Sequence, residues 1–282
     1  MKLIDGKLLA EKIKDGIAAE ILDFAGLRPG LAIILVGDRP DSMIYVGRKE
    51  KQAGTVGIDT HVYRCPENIT QDELIATINF LNADENVDAI LVQLPLPAGL
   101  DTDLIVNTIA PEKDVDGFTR QNLDLLMGAS SETAILPPVY AVIIAMLQSI
   151  DCPLAAKHVV LVANSDIFEG NLAEVLRRQG AVVTLTDTDD SELGENTRQA
   201  DILISAIGRP HFITGDMVKE GAIIIDIGIT MQDGKPLGDV DFDSVKDKVS
   251  FITPVPGGVG PMTIAMAFWN TLQIFKKRKQ LA

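Results

Sequence analysis

A tyrosine and a lysine four residues apart are the side chains of this sequence best placed to do chemistry. Tyr45 and Lys49 stand in the segment Ser42–Ala53, whose helical spacing should put both on one face of a helix. An amine beside an aromatic ring suits a flat, electron-rich substrate that undergoes proton transfer. Taken alone, each residue also suits an ordinary helix, because most lysines are solvated and many tyrosines pack half-buried.

Three later segments carry groups of similar interest. Gln93 opens the run Gln-Leu-Pro-Leu-Pro at the end of an apolar strand, where open α/β sheets place their ligands. Asp116 lies in the acidic turn Asp-Val-Asp-Gly, although aspartate favours turns in any case. Residues 254–263 read Pro-Val-Pro-Gly-Gly-Val-Gly-Pro-Met-Thr, which alone would suit a flexible loop. Each segment alone has an ordinary structural explanation, but their occurrence together and in this order indicates a catalytic or binding site.

Apolar runs alternate with amphipathic segments, which predicts an α/β fold of two parallel-sheet domains. The predicted strands are Leu31–Val36, Asp59–Tyr63, Ala89–Val92, His158–Val162, Val182–Leu185, Ile202–Ser205, Ala222–Ile227 and Val249–Ile252. The predicted helices are Leu8–Leu22, Ser42–Ala53, Gln71–Asn82, Pro138–Ser149, Phe168–Gln179 and Gly260–Phe275. Boundaries are expected near Ser130–Pro138 and at Pro254–Pro261, where proline and glycine interrupt the pattern.

Composition narrows the class of protein. With 46% hydrophobic and 23% charged residues the chain should be globular, and its net charge of −15 disfavours nucleic acid as a partner. Cys65 and Cys152 lie far apart without metal-ligand spacing, and the three histidines are scattered, so no metal site is expected. Met1–Ala25 mixes charged and apolar residues at helical spacing. Neither a secretory leader nor a membrane span is therefore expected, and a cytoplasmic location is predicted.

The chain resembles a known enzyme family over nearly its full length. The resemblance is strongest at Tyr45–Lys51, Gln93–Pro97, Lys113–Phe118, Gly221–Ile229 and Pro254–Thr263. The family is the bifunctional methylenetetrahydrofolate dehydrogenase/methenyltetrahydrofolate cyclohydrolases. It implies oxidation of 5,10-methylenetetrahydrofolate to 5,10-methenyltetrahydrofolate, hydrolysis to 10-formyltetrahydrofolate, and a homodimer.

The resemblance also implies a domain arrangement. A discontinuous folate-binding catalytic domain would comprise residues 1–137 plus 256–282, and residues 138–255 would form a Rossmann-like nucleotide-binding domain, with a folate cleft between the two. Periodicity alone does not predict that the chain returns to its first domain.

On the folate side the resemblance assigns roles residue by residue. Lys49 matches the lysine that assists chemistry at the one-carbon bridge, Gln93 matches the glutamine that holds its amine, and Tyr45 would stack over the folate. Asp116 matches the carboxylate that grips the pterin ring through charge-assisted hydrogen bonds. Further substrate-binding positions implied by the resemblance are Ser42, Leu94, Gly257, Gly258 and Pro261.

On the nucleotide side the turn after the strand Lys157–Val162 departs from the family pattern, since only Ser165 of the usual turn residues survives. Asp166 and Glu169 have capping-box spacing, so the following helix can satisfy its own first N–H groups. These carboxylates also add negative charge where a pyrophosphate would bind. A cofactor site and a capped structural helix therefore remain open alternatives. The implied cofactor-binding positions are Asn164, Ser165, Asp187, Ala206, Gly208 and Ile229.

Acidic residues follow the strand Val182–Leu185, in the run Thr186–Asp190. Carboxylates at this strand end suit a ribose 2′-hydroxyl and repel a 2′-phosphate. These residues favour NAD, whereas the family more often uses NADP.

Two other functions stay open. One is a cyclohydrolase that has lost hydride transfer, and the other is a non-catalytic folate-binding or regulatory partner subunit. Intact Lys49 and Gln93 argue against the second, because binding alone needs no catalytic amine.

Overall fold

The computed structural model describes residues 1–128 and 135–281, which form two compact units. One unit comprises residues 1–10 and 139–263, and the other comprises residues 11–138 and 264–282. Part of the boundary expected near Ser130–Pro138 lies outside the described residues. No helix within the described ranges is long and apolar enough to cross a membrane.

Helices and strands alternate along the chain. The strands are β1 (Lys2–Leu3), β2 (Gly30–Val36), β3 (Asp59–Cys65), β4 (Ala89–Val92), β5 (His158–Ala163), β6 (Val182–Thr186), β7 (Ile202–Ala206), β8 (Ile223–Asp226), β9 (Thr230–Gln232), β10 (Lys235–Leu237) and β11 (Phe251–Ile252). The helices are α1 (Gly6–Leu22), α2 (Pro40–Val56), α3 (Gln71–Ala83), α4 (Thr102–Asn107), α5 (Arg120–Met127), α6 (Pro138–Ser149), α7 (Asp166–Arg178), α8 (Leu193–Gln199), α9 (Phe242–Val245) and α10 (Val259–Lys279). The division between the two units falls within α1 and α10 and after the first residue of α6.

The unit of residues 11–138 and 264–282 contains a parallel sheet in the order β3-β2-β4. All seven residues of β2 are buried, as expected for the central strand of a parallel sheet covered on both faces. Alternate residues of β2 serve different cores: Ile33 shares a cluster with Val46 of α2 and Phe268 of α10, whereas Ile34 shares one with Ile78 of α3. The helix α10 is far from this sheet in sequence, but its residues form part of the hydrophobic core that covers one face of the sheet.

The unit of residues 1–10 and 139–263 contains a six-stranded sheet in the order β1-β11-β8-β7-β5-β6, and every pairing in it is parallel. The chain leaves β5 for β6 on one side and later returns to β7 on the other side. The strand order reverses at this point, and ligands of open α/β sheets bind beside the carboxyl ends of such strands. The prediction of two α/β domains with parallel sheets is confirmed.

Two details differ from the sequence-based expectation of the domains. Residues 1–10 were expected in the folate domain, but β1 extends the six-stranded sheet, with Lys2 opposite Phe251. The Ile4 N–H continues this pairing by donating to the Ile252 carbonyl at 2.9 Å. Residues 256–263 likewise group with this unit and not with the rest of α10. Two-residue strands such as β1 are too short to show a period in sequence.

Candidate functional site

The helix α2 brings Tyr45 and Lys49 onto one face, as their spacing predicts. Proline at its first position suits a helix start, and Gly57 ends it in the left-handed conformation, with φ of 89°. Val46 and Ala53 anchor the adjacent face of the helix in the core, and both are fully buried. Tyr45 and Lys49 lie at the edge of that core face and are half-buried.

Gln93 fixes the end of the lysine side chain. It follows β4, and its backbone N–H extends the ladder by donating to the Ile34 carbonyl at 2.8 Å. The Lys49 Nζ donates to Gln93 Oε1 at 3.0 Å, and Gln93 Nε2 donates to the Leu94 carbonyl at 2.7 Å. The second bond fixes which way the amide faces, so an acceptor is presented to the amine. The structure thus joins two residues that lie 44 positions apart.

Asp116 stands on a turn that a second carboxylate holds. Asp114 is buried, and its Oδ1 accepts the Gly117 N–H at 2.9 Å. Its Oδ2 accepts the Thr119 N–H at 2.8 Å and an amide hydrogen of Asn122 at 3.0 Å. Three donors on one carboxylate leave the turn little freedom. Sequence reasoning recognised Asp114 only as a turn former, and these bonds now explain how it orients Asp116.

The helix α10 holds the same turn from the other side. The Asn270 side chain, 5% exposed, donates to the Val115 carbonyl at 2.8 Å and to the Leu136 carbonyl at 3.0 Å. Gly117 has φ of 68°, and a Cβ there would lie 2.8 Å from the Ile135 carbonyl oxygen. Glycine is therefore required at this position, both for backbone conformation and for space.

Charge and burial shift the two ionisable groups of this site toward neutrality. Burial lowers the pKa of Lys49, and the negative charge of Asp116 partly opposes that change. Burial raises the pKa of Asp116 to about 6, with the charge of Lys49 opposing the rise and that of Asp114 adding to it. An amine with a lowered pKa can exchange protons nearer neutral pH, which is what general acid–base chemistry requires.

Two other predicted folate-side residues belong to the same unit. Ser42 is 4% exposed in the first turn of α2, and Leu94 is 40% exposed after Gln93. The Leu94–Pro95 peptide is cis.

The remaining predicted folate residues, Gly257, Gly258 and Pro261, lie in the unit of the six-stranded sheet. The Gly257 carbonyl accepts the Lys7 N–H at 3.1 Å. A Cβ on Gly6 would lie 1.9 Å from the Gly258 carbonyl oxygen, so Gly6 lets the start of α1 approach this segment. Sequence reasoning did not single out Gly6, and its only signal was a glycine just before a helical pattern.

On the nucleotide side, α7 begins at Asp166, two residues earlier than expected, and its N-cap is Ser165. Ser165 has an extended backbone, with φ of −141°, and its Oγ accepts the Phe168 N–H at 3.4 Å. The expected capping box between Asp166 and Glu169 is therefore wrong: serine one residue earlier takes the cap, which it favours as strongly as aspartate does.

The turn after β5 is joined to the turn after β7. The Asn164 side chain donates a hydrogen bond to the Ile207 carbonyl, which links the two strand ends where the strand order reverses. Gly208 has φ of 72°, and a Cβ there would meet no atom within 4 Å. Ala206, the last residue of β7, is half-buried, and Ile229 beyond β8 is 45% exposed. Small residues and open space here fit the backbone approach that a dinucleotide needs.

A depression of about 340 Å³ lies beside the end of β6, lined by Glu169, Leu185, Thr186, Asp187, Asp189 and Asp190. Asp187 directly follows the strand, and its Oδ1 accepts the Asp189 N–H at 2.8 Å. Asp190 accepts the Glu192 N–H and the Thr186 hydroxyl, both at 2.8 Å, and these bonds lower its pKa. The acidic character predicted for this strand end is thus concentrated around one depression.

A second buried acidic pair was not predicted as a unit. Asp226 ends β8 and Asp239 follows β10, with exposed fractions of 3% and 1%. Burial raises the pKa of Asp226 to about 7, the charge of Asp239 adds to the rise, and N–H groups of Val240, Asp239 and Gly228 oppose it. The sequence shows Asp226 at the end of an apolar strand. The position of Asp239 depends on the hairpin β9–β10, which was not predicted. Among the described residues, no group of three or more histidine, cysteine, aspartate or glutamate side chains could hold a metal ion.

Both halves of the chain match known protein families. Residues 4–116 match the tetrahydrofolate dehydrogenase/cyclohydrolase catalytic domain, and residues 137–279 match the NAD(P)-binding domain of the same enzymes. The bifunctional protein FolD of a Sulfurihydrogenibium species is 48% identical over 99% of both chains.

Solved structures agree as well. The FolD methylenetetrahydrofolate dehydrogenase/cyclohydrolase of Campylobacter jejuni is 44% identical, with a TM-score of 0.94 over 99% of both chains. The Trypanosoma brucei enzyme, solved with NADP and an inhibitor, is 33% identical, with a TM-score of 0.92 over 98% of this chain and 97% of its own. With both of its domains matched by family models and relatives of this identity over its full length, the chain belongs to the tetrahydrofolate dehydrogenase/cyclohydrolase family.

Proposed function

We propose that this protein oxidises 5,10-methylenetetrahydrofolate to 5,10-methenyltetrahydrofolate and hydrolyses the product to 10-formyltetrahydrofolate. The observation that carries the proposal is the 3.0 Å contact between Lys49 Nζ and Gln93 Oε1, on a site that also holds Asp116, whose pKa is raised to about 6. Family membership supplies the substrate class, and this contact supplies the chemistry at the one-carbon bridge.

Two residues bind the folate in this proposal. Asp116 accepts hydrogen bonds from the amino group and ring N–H of the pterin, which form a donor pair. A carboxylate receives both, and charge-assisted bonds of this kind are the strong ones. Tyr45 stacks over the flat part of the substrate, one helical turn before Lys49.

Lys49 moves the proton in the hydrolytic step. Water adds to the one-carbon atom of the methenyl cation, and the neutral amine accepts a proton from that water. The bond from this carbon to N5 then breaks, N5 takes up a proton, and the formyl group stays on N10, with a net release of one proton. Gln93 holds the amine in place through its carbonyl oxygen without adding a charge that would keep the amine protonated.

The oxidative step removes a hydride from the same carbon. A nicotinamide dinucleotide, when bound, accepts that hydride. Residues at the ends of β5 and β7 would hold it: Asn164 and Ser165 at one strand end, Ala206 and Gly208 at the other, with Ile229 as an apolar neighbour.

For the cofactor we propose NAD over NADP. Asp187 stands where a carboxylate accepts the ribose 2′-hydroxyl, and further carboxylates line the same depression. Arg177 and Arg178 end α7 at the other end of β6 from Asp187: Arg177 donates to the Val183 carbonyl at 3.1 Å, and Arg178 pairs with Glu174 at 3.0 Å. A 2′-phosphate in this depression would therefore meet several negative charges and no basic side chain among the described residues that line it.

The experiment compares the two cofactors on the purified protein. Thermal shift with NAD, NADP and a folate analogue gives binding, and initial rates give kcat/KM for oxidation and for hydrolysis. We expect NADP to be no better than NAD, and Asp187→Ser to raise the NADP/NAD ratio of kcat/KM several-fold. Asp247→Ser removes an exposed carboxylate of the same unit and serves as control.

Three outcomes would count against the proposal. Low-micromolar NADP binding clearly ahead of NAD would reject the cofactor assignment. Hydrolysis without any oxidation would leave only the cyclohydrolase, and folate binding without either activity would leave a binding subunit. The family resemblance also predicts a homodimer, which sedimentation equilibrium tests directly.

A further inference from the structure

Asp239 receives three hydrogen bonds in the interior of the nucleotide unit. Its Oδ2 accepts the Ser205 hydroxyl at 2.9 Å and the Ile207 N–H at 2.6 Å, and its Oδ1 accepts the Arg209 N–H at 2.9 Å. All three donors belong to the end of β7 and the turn that follows it. With 1% of its surface exposed, Asp239 cannot itself touch a bound ligand.

These bonds fix the backbone of that turn together with two others. The backbone of Ile207 is held on both sides of its Cα, because its N–H donates to Asp239 and its carbonyl accepts from Asn164. The next carbonyl, of Gly208, accepts the Thr230 hydroxyl at 3.1 Å. The turn 206–209 is thus tied to β5, to the segment after β8 and to Asp239.

Asp239 is in turn held in place by its neighbours. Asp226 accepts the backbone N–H groups of Asp239 at 3.2 Å and of Val240 at 3.0 Å. A Cβ on Gly228 would lie 2.1–2.3 Å from the Asp239 carboxyl group, so glycine is required for this approach. The carboxylate therefore occupies one position between the strand ends of β7 and β8.

We propose that Asp239 is a positioning residue for hydride transfer, which holds the turn 206–209 in the conformation that receives the dinucleotide. The inference rests on the oxidative half of the proposed function. It assigns Asp239 no part in hydrolysis, because Lys49, Gln93 and Asp116 belong to the other unit and need no dinucleotide.

The decisive variant is Asp239→Asn. The side chain keeps its shape, but one carboxylate oxygen that accepts a hydrogen bond becomes an NH2 group that faces an N–H or O–H donor. We expect kcat/KM for oxidation to fall at least tenfold, while hydrolysis of methenyltetrahydrofolate changes less than twofold. In the cofactor-free protein, amide hydrogen exchange of Ile207 and Arg209 should accelerate, and the dinucleotide Kd from calorimetry should rise. Asp247→Asn, an exposed change of equal charge, should leave all four measurements as in the wild type.

Ser205→Ala is the second variant, in case Asp239→Asn does not fold. It removes one of the three donors and leaves both N–H bonds, so a smaller loss of oxidation with intact hydrolysis is expected. Parallel loss of both activities in Ser205→Ala, or unchanged exchange and oxidation in a folded Asp239→Asn, would overturn the inference. A wild-type protein without oxidation would instead refute the oxidative function itself, so the two failures are distinguishable.

Discussion

The Lys49 amine lies 3.0 Å from the Gln93 carbonyl oxygen, and Gln93 is itself fixed by its bond to the Leu94 backbone. The amine is therefore held in place by a neutral amide oxygen and not by a carboxylate in this contact. Burial lowers its pKa, and Asp116 limits that change. Burial and the charge of Asp116 thus act on the Lys49 pKa in opposite directions.

Lys49→Met should abolish methenyl hydrolysis while the fold and folate binding persist, because methionine replaces the aliphatic part of the side chain and lacks the amine. Stopped-flow or initial-rate hydrolysis and folate titration measure the two properties. Lys51→Met, an exposed lysine two residues further along α2, is the matched control and should retain activity. Hydrolysis at the wild-type rate in Lys49→Met would show that this amine is not the reacting group.

Gln93→Glu should move the pH profile of hydrolysis to higher pH. The substitution keeps the shape and places a negative charge against the Lys49 amine, which raises its pKa and delays its deprotonation. Gln148→Glu is the control, because Gln148 is an exposed glutamine on α6, in the unit of the six-stranded sheet. An unchanged profile in Gln93→Glu would indicate that the Lys49 proton does not limit the rate.

Asp116→Asn should weaken folate binding about 10- to 100-fold, because a hydrogen bond to a charged group contributes roughly 1.5–3 kcal/mol. Calorimetric titration measures the dissociation constant, with Asp124→Asn on α5 as an exposed control. Equal affinity of Asp116→Asn and wild type would reduce Asp116 to a turn former.

The folate affinity of the wild type should also depend on pH. Burial raises the pKa of Asp116 to about 6, so the carboxylate is ionised above that pH and protonated below it. Affinity should therefore fall as the pH drops through about 6, and this dependence should be absent from Asp116→Asn. A wild-type dissociation constant that is constant between pH 5 and 8 would contradict the assignment of the shifted group.

Asp226 should make the protein less stable as the pH rises. A carboxylate in an ion pair, whose pKa is lowered by folding, has the opposite effect. Its pKa is about 7 in the folded protein against 3.8 without the fold, so the folded state holds the proton more strongly between these values. The unfolding free energy, taken relative to Asp226→Asn, should fall as the pH rises from about 4 to about 7. The change is at most about 4 kcal/mol, since one pKa unit corresponds to ~1.4 kcal/mol. Chemical denaturation at several pH values measures it, and a difference that rises with pH would refute it.

The fold was largely predictable, because apolar residues recur at regular spacing in the long helices and strands. The apolar strand β2 and the amphipathic helix α3 were found nearly at their bounds. Short elements such as β1 and α8 were missed, since two to seven residues show little period. The hairpin β9–β10 was missed despite its signal, an Asp233-Gly234 turn with φ of 51° and 74°, which is typical of a two-residue hairpin loop.

The site was predictable only in part. The contact between Lys49 and Gln93 followed from the family motif, and the geometry agrees with it. The bonds that Asp114 and Asp239 make to turn backbones depend on how distant strand ends meet, which no local pattern encodes. The cap of α7 was misplaced by one residue, because serine and aspartate are equally good caps and stand side by side there.

The part of α10 from residue 264 onward completes the sheet unit whose other residues end at 138, and Asn270 ties down the Asp116 turn. During synthesis, strands β2 to β4 leave the ribosome long before that helix. At 5–20 residues per second, the ribosome needs on the order of 10 s to make residues 139–263. For that time the face of β2 that packs on Phe268 has no cover from α10. The nascent chain should thus be a client for holding chaperones, and a product released before residue 264 should be degraded rather than accumulate as a half-enzyme.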